Sequence, residues 1–160
     1  TVIKKNRKTI LQAVVLLLSI TTGWSIILLI KGIYPFGGKS ICSGDMMEQV
    51  MPLYAHVWDF LHGRSALFFD WTTGLGNNLT GSLWHFSIIS PSSLFFLLIS
   101  RDYIERSMFL FLGIRYLITG LVFWIVLKKW FPDLSYAISL AAVILYVFQP
   151  FCMQYYLMPG

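Results

Sequence analysis

The stretch ILQAVVLLLSITTGWSIILLI, residues 10–30, decides the class of fold. An α-helix rises about 1.5 Å per residue, so these 21 residues extend about 30 Å, the thickness of the hydrocarbon core of a bilayer. A cleaved signal peptide has a shorter apolar core and a cleavage site of small residues, whereas this chain continues with Lys31 and bulky side chains. The stretch therefore predicts an uncleaved transmembrane helix.

The composition of the whole chain extends this prediction beyond the first helix. Hydrophobic residues make up 57% and charged residues only 12%, against about 25% charged residues in soluble domains. These values favour a membrane protein over a soluble enzyme whose apolar runs are core helices. The chain begins with Thr1 and stops at Gly160, directly after an apolar run. We therefore expect residues 1–160 to be a single N-terminal membrane region of a larger protein, inactive on its own.

Basic residues precede the first helix and indicate its orientation. Such a cluster marks the cytoplasmic end of a transmembrane helix and is attracted to anionic lipid headgroups. Residues 1–9 are therefore predicted to be cytoplasmic, and residues 31–82 to form an outer loop. The cluster does not indicate nucleic-acid binding, because it lies beside the membrane and is not interleaved with exposed aromatic residues. Its members are Lys4, Lys5, Arg7 and Lys8.

Three further apolar segments lie in residues 83–160, which we predict to be further membrane helices. They are residues 83–99, 108–127 and 136–148. With the first helix they predict an all-α, polytopic transmembrane bundle of about four apolar segments. Residues 83–99 only reach the lower length limit for a span, and Ser90-Pro91 interrupts them. This segment therefore either crosses the membrane or is re-entrant.

The orientation of the later segments depends on this choice. If residues 83–99 cross, Arg101 and Arg106 lie inside while Lys128 and Lys129 lie outside. If the segment is re-entrant, these assignments reverse. The positive-inside rule counts Lys and Arg and gives two residues against two, so it does not decide. The length of the segment favours the crossing arrangement.

The outer loop is predicted to carry an amphipathic helix. Tyr34-Pro35 and the glycines after it are typical of a turn, and a helical pattern begins at Asp45 and is divided by Pro52. Such a helix between spans most simply lies along the membrane surface. Residues 74–81 follow as a glycine- and asparagine-rich loop whose N–H groups could approach a ligand. The apolar helix positions are Met46, Val50, Leu53, Tyr54, Val57, Phe60 and Leu61, and the polar ones are Glu48, His56, Asp59 and His62.

Asp45 is the predicted catalytic residue. A carboxylate at the start of this helix can accept a proton as a general base, or hold a divalent cation that bridges a phosphate leaving group. Glu48 lies one turn further along the same face and is a candidate substrate-binding residue. The alternative is structural, because Asp45 is a good N-cap and Glu48 completes a capping-box pattern. The residue pattern alone favours capping, and the two roles do not exclude each other.

Two other groups of the loop are candidates for binding. His56, Asp59 and His62 could form a metal cluster, but a zinc site generally has a tighter pattern, so a hydrated helix face is favoured. Asp70 and Trp71 could bind a sugar or a lipid headgroup, since aromatic rings stack on apolar ring faces. A tryptophan of the membrane interface is the more common role for Trp71.

Arg115 is the candidate substrate-binding residue inside the membrane. It lies about seven residues into the segment 108–127. A charge at such a depth is costly and normally faces a cavity or a partner, and a guanidinium group could bind a lipid-linked phosphate. Snorkelling to the interface is the alternative, and the two readings stand equal.

Four short motifs occur in chain order. They are Tyr34-Pro35-Phe36-Gly37, Asp45 followed by Gln49, Leu75-Gly76-Asn77-Asn78 with Gly81, and Ser90-Pro91 before an apolar run. In this order they resemble the YfhO family of bacterial membrane proteins, which look like GT-C-type glycosyltransferases. The resemblance covers roughly residues 8–150.

The resemblance implies a polytopic enzyme of the bacterial plasma membrane, with its first long loop on the outer face. The donor would be a sugar on a polyprenyl phosphate, and the acceptor a cell-envelope glycan or teichoic-acid-like polymer. Carried over by position, Asp45 would act as base or as ligand of a divalent cation, Mg²⁺ or Mn²⁺. A second acidic residue from a later outer loop would be Asp133 or a residue after Gly160. The alternative is a non-enzymatic transporter, flippase or assembly scaffold.

Overall fold

A computed structural model describes residues 2–44, 46–71, 76–85, 88 and 90–149. These residues divide into two compact units. The first unit comprises the described residues up to Lys39 and from Leu112 onward, and the second comprises those from Ser40 to Phe111.

The described chain is predominantly helical. The helices are α1 (Val2–Lys31), α2 (Met51–Leu61), α3 (Thr80–His85), α4 (Ile104–Trp130) and α5 (Tyr136–Val147). A π-helical turn, Met46–Val50, precedes α2, and 3₁₀ helices occupy Pro91–Leu98 and Arg101–Tyr103. Strands β1 (Phe69–Asp70) and β2 (Asn77–Asn78) pair as an antiparallel hairpin.

Among the described residues, two helical stretches are long and apolar enough to cross a membrane, Arg7–Lys31 and Arg101–Trp130. In its most apolar part, the first stretch is only 22% buried inside the protein, and the second stretch is only 33% buried. A core helix of a soluble protein would be mostly buried. Helices that are apolar all round and mostly uncovered are typical of a lipid environment.

The buried face of α1 is a narrow stripe. Leu16, Ile20, Trp24 and Leu28 are buried and recur every four positions, which places them above one another on one side of the helix. Apolar residues on other sides remain uncovered, and Leu18 is 61% exposed. The stripe is the face that packs within the first unit.

Gly120 of α4 lies where the three helices of the first unit approach one another. A Cβ atom at this position would collide with Ile20 of α1 and would contact Val143 and Val147 of α5. In membranes, small residues at helix interfaces let backbones come close enough for van der Waals packing. The absence of a side chain at residue 120 therefore leaves room for Ile20, Val143 and Val147 to pack against the backbone of α4.

Gln12 joins the start of α1 to the end of α4 and the start of α5. Lys128 Nζ donates a hydrogen bond to Gln12 Oε1 at 2.7 Å, and Tyr136 Oη donates to the backbone carbonyl oxygen of Gln12 at 2.7 Å. The Lys128 ammonium also lies 4.5 Å from the centroid of the Trp124 ring, a cation–π distance. These contacts place the N-terminal part of α1 beside the C-terminal part of α4.

The second unit has an aromatic core. The ring of Tyr54 in α2 lies 5.1 Å from that of Phe96 and 5.4 Å from that of Phe111. The rings of Phe96 and Phe111 are 5.0 Å apart, and both side chains are fully buried. Trp58 Nε1 donates to the carbonyl oxygen of Ile99 at 2.8 Å. Together these contacts join α2 to the 3₁₀ helix before α4 and to the first turns of α4.

The first and third apolar segments are helical as predicted. Residues 10–30 lie within α1, and residues 108–127 lie within α4. The fourth segment forms α5, whose 12 residues extend about 18 Å and do not reach across a hydrocarbon core. The described residues thus contain two helices of spanning length, and the four-segment bundle stays a prediction.

Residues 83–99 do not form one continuous helix. The helix α3 ends at His85, and the 3₁₀ helix begins at Pro91 after Ser90, whose backbone is extended with φ −147° and ψ 158°. A residue before proline is disfavoured in the helical region, which accounts for the extended backbone at Ser90. The favoured prediction of a crossing here is therefore not supported by a transmembrane helix.

The helix predicted in the outer loop is present and is divided near Pro52. The π-helical turn passes into α2 at Met51, and Pro52 lies in the first turn of α2, where its missing N–H is tolerated. Its polar face differs from the prediction. His56 is only 7% exposed, whereas the apolar Phe60 is 38% exposed.

We expect the substitution Gly120→Leu to destabilise the first unit, because the new side chain must displace Ile20 and α5. Overpacking of this kind costs about 1–3 kcal/mol or more. Thermal unfolding of the detergent-solubilised full-length protein measures the effect. Gly81→Leu is the control, since a Cβ there has open space within 4 Å. Equal loss of stability in both variants would contradict the close approach at residue 120.

Candidate functional site

The helix α2 and the β1–β2 hairpin bring His56 and Asp70 together. His56 Nε2 lies 3.1 Å from the carbonyl oxygen of Leu67, and Nδ1 lies 3.7 Å from Asp70 Oδ2. A carbonyl oxygen can only accept, so Nε2 carries the proton in the first contact. The bond to Leu67 fixes the buried imidazole ring, and the carboxylate of Asp70 lies beside that ring, beyond hydrogen-bond distance.

The hairpin positions Asp70. Its strand pairs Phe69 with Asn78 and Asp70 with Asn77, and the N–H of Leu79 donates to the carbonyl oxygen of Phe68 at 2.7 Å. The side chain of Asp70 is 18% exposed. A ligand can therefore reach this carboxylate, whereas His56 behind it is almost fully covered.

Trp71 follows Asp70 and is 78% exposed. Its ring lies 5.0 Å from that of Phe69 at an interplanar angle of 76°. Gly76 lies against the indole with φ +101°, and a Cβ at residue 76 would come within 2.9 Å of the Trp71 ring. Such a positive φ suits glycine. The indole thus has one edge held by the hairpin and a large surface open to a ligand.

This arrangement can hold a polar ring. An exposed indole offers an apolar face for stacking, and a carboxylate accepts hydrogen bonds from hydroxyl groups. His56 is buried behind this carboxylate, so it is a positioning residue here. It supports the hairpin that carries Asp70 through its contact with Leu67 and does not touch the ligand.

The sequence-predicted site residues fall in different parts of the structure. Asp45 lies outside the described residues. Glu48 is exposed on the π-helical turn before α2, in the same unit as Asp70 and Trp71. Arg115 is half-buried in α4 and belongs to the first unit. The roles assigned to these five residues stay predictions.

His56, Asp59 and His62 do not converge on one point. His56 faces the carboxylate in β1, and Asp59 pairs with Arg101. The ring of His62 is stacked on Trp58 at 3.8 Å. The metal cluster considered for these three residues is therefore wrong, and so is a hydrated face at His56, because its ring is buried.

A divalent cation at Asp45 would need several oxygen ligands. In the part of the chain that the structure describes, no group of three or more His, Cys, Asp or Glu residues could hold a metal ion. Glu48 is the acid nearest to Asp45 in the sequence. Mg²⁺ or Mn²⁺ at this position stays a prediction, and no chemical step depends on it.

The pair Asp59–Arg101 was missed by the sequence analysis. Arg101 Nε lies 3.1 Å from Asp59 Oδ1, and Arg101 Nη2 lies 3.1 Å from Oδ2. Forty-two positions separate the two residues, and no periodic pattern connects them. Arg101 is half-exposed, so the pair contributes at most about 1 kcal/mol to stability, and its role is to orient α2 against the start of α4.

Cys42 is a second residue whose environment the sequence did not reveal. Its side chain is 6% exposed. Burial raises the pKa of its thiol, a hydrogen bond with Ser40 opposes this, and the carboxylate of Glu105 adds to it, which together bring the pKa to about 12. The thiol is therefore protonated and shielded at neutral pH, unlike a reactive cysteine.

We expect His56→Ala to loosen the hairpin, because it removes the contact with Leu67 and leaves the carboxylate of Asp70 without its imidazole. The expected loss is about 1–3 kcal/mol of unfolding free energy. Faster trypsin cleavage after the exposed Arg64 would report the local opening. His62→Ala is the control, with an expected loss below about 1 kcal/mol. Equal cleavage rates in the two variants would contradict the role of His56.

We expect the Cys42 thiol to resist a maleimide at pH 8.5 in the folded full-length protein and to react after denaturation. Because the folded pKa is raised from 9.0 to about 12, the contribution of this thiol to stability is present below pH 9 and is lost as the pH rises towards 12. Lys39→Cys, exposed and placed in a Cys42→Ala background, is the control. Equal labelling rates before denaturation would count against the burial of Cys42.

Comparison with known proteins places the amino-acid sequence in a family. The model of the family described as bacterial membrane protein YfhO matches residues 16–158. Neither the curated proteins nor the solved structures give a match to the chain. The matched region includes the second half of α1, the second unit from Ser40 to Phe111, and α4 and α5. The chain therefore belongs to the YfhO family of bacterial membrane proteins.

Proposed function

We propose that the protein is a membrane glycosyltransferase of the GT-C type. It transfers a sugar from a polyprenyl-phosphate donor to a cell-envelope glycan or teichoic-acid-like acceptor. Family membership supports a membrane protein, and the observation that carries the finer proposal is the exposed Trp71 next to the partly exposed carboxylate of Asp70. The loop that bears them, residues 31–82, is proposed to face outward, where envelope polymers are.

Each site residue has a role in this proposal. Trp71 stacks on a sugar ring, and Asp70 accepts hydrogen bonds from its hydroxyl groups. Asp45 accepts the proton of the acceptor hydroxyl as general base, with Glu48 binding substrate nearby. Arg115 binds the phosphate of the lipid-linked donor. A divalent cation at Asp45, Mg²⁺ or Mn²⁺, would supply positive charge for the leaving phosphate.

One observation favours the alternative of a transporter or flippase. The helix α5 starts beside Gln12 and ends at Val147, where Val143 and Val147 face Gly120. The 12 residues of α5 rise about 18 Å, which is shorter than a hydrocarbon core. Helices that end inside the membrane are typical of transporter binding sites.

Transfer from a radiolabelled polyprenyl-phosphate sugar to native envelope polymer tests the proposal in the full-length protein. We expect Asp45→Asn to abolish transfer while folding persists. Trp71→Ala removes the stacking surface, so its KM for the sugar substrate is expected to rise about 3–10-fold, which corresponds to about 0.5–1.5 kcal/mol of aromatic contact. Trp84→Ala is the matched control, because Trp84 is 63% exposed in α3 and has no assigned role.

The outcomes separate the hypotheses. If Asp45→Asn transfers sugar as well as the wild-type protein, Asp45 is a helix cap and not the base. If Trp71→Ala and Trp84→Ala have equal KM values, the indole is a residue of the membrane interface. If no sugar offered to the wild-type protein is transferred, the transporter or scaffold alternative takes precedence.

A further inference from the structure

The helices α1 and α4 run antiparallel within the first unit. Gln12 of α1 is bonded to Lys128, and Ile20, two turns further along α1, faces Gly120. Trp24, a further turn along, packs on Tyr116 with ring centroids 5.0 Å apart. As residue numbers rise along α1, those of the partners on α4 fall. The start of α1 and the end of α4 therefore lie at the same end of the unit.

The two helices have matching apolar lengths from this shared end. From Gln12 to Lys31 the helix α1 rises over 19 residues, about 29 Å, which equals the hydrocarbon thickness of a bilayer. Counting the same distance back along α4 from Lys128 reaches Phe109, still inside the helix. Gln12 and Lys128 thus mark one boundary of the hydrocarbon, and both helices reach the other boundary.

Four cations gather just beyond this boundary. Arg7, Lys8 and Lys129 are exposed, and Lys128 is half-buried. Lys8 is near enough to Lys128 for the two charges to interact. The first unit contains a single acid up to residue 149, Asp133, in the α4–α5 connection. One carboxylate does not balance the four cations, so this end of the unit carries a net positive charge that attracts anions.

We propose that this end of the first unit, defined by Arg7, Lys8, Lys128 and Lys129, binds the anionic phospholipid headgroups of the cytoplasmic leaflet. Lys and Arg residues next to spans are retained on the cytoplasmic side, where anionic lipids attract each such residue by about 1 kcal/mol. The sequence left Lys128 and Lys129 undecided between the two sides. Their place beside the basic N-terminus assigns them to the cytoplasm.

The connection between α1 and α4 then lies on the outer side of the membrane. Because both helices cross once and run antiparallel, the chain leaves α1 and enters α4 on that same side. Residues 83–99 are then a re-entrant or peripheral segment and not a crossing, which agrees with the break at Ser90-Pro91. Arg101 and Arg106 belong to the outer side, opposite to the arrangement that segment length alone favours.

Site-directed labelling tests the sidedness in the full-length protein with its own cysteines replaced by alanine. Single cysteines are introduced as Lys129→Cys and Asp102→Cys, both at exposed positions, and are treated with a membrane-impermeant maleimide in intact spheroplasts. We expect Asp102→Cys to be labelled at once and Lys129→Cys only after lysis. Labelling of Lys129→Cys before lysis, or protection of Asp102→Cys, would overturn the assignment.

Lipid dependence tests the headgroup contact. Thermal unfolding is measured in nanodiscs of phosphatidylcholine alone and with phosphatidylglycerol added. The double variants Arg7→Gln/Lys129→Gln and Lys31→Gln/Lys39→Gln each remove two exposed charges, from the proposed end and from the opposite end of α1. We expect phosphatidylglycerol to raise the Tm of the wild-type protein and of the second variant, and the first variant to lose at least half of the rise. No rise in the wild-type protein, or equal rises in both variants, would overturn the proposal.

Discussion

A backbone N–H or C=O group in hydrocarbon has no water to bond, and this constraint accounts for the form of the first unit. Each spanning segment must satisfy its own backbone, so α1 and α4 are long and uninterrupted. Lipid tails are as apolar as leucine, and hydrophobicity alone does not hold such helices together. Their association depends on close packing. Gly120 of α4 accordingly faces Ile20, which is one of the four buried residues on the packed face of α1.

The second unit meets a different constraint. Its helices are short and its strands have two residues each, so local hydrogen bonding alone cannot fix their arrangement. Three side chains of α2 supply long-range bonds instead. Trp58 reaches Ile99, Asp59 reaches Arg101, and His56 reaches Leu67. The aromatic core around Tyr54 then fills the space between α2 and the start of α4.

Sequence patterns predicted the long helices well, because apolar length is a local property of the chain. The same holds for the boundary near Pro52, where proline acts through its own ring and missing N–H. The burial of His56 was not predictable, since its partner Asp70 lies fourteen positions away and is placed by a hairpin too short to give a periodic signal. At residues 83–99 two local signals conflict, because the apolar length predicts a crossing whereas Ser90-Pro91 predicts a break, and the structure follows the proline.

The candidate site was likewise only partly predictable from the sequence. Asp70 and Trp71 are neighbours in the sequence, but only the folded hairpin shows that Asp70 lies beside a buried imidazole and that Trp71 is exposed. The position of Gly76 also has a consequence for sequence variation within the family. Any side chain at residue 76 meets both an unfavourable φ and the indole of Trp71. Homologous chains with an aromatic residue at position 71 should therefore retain glycine at position 76, so the two positions should vary together in a family alignment.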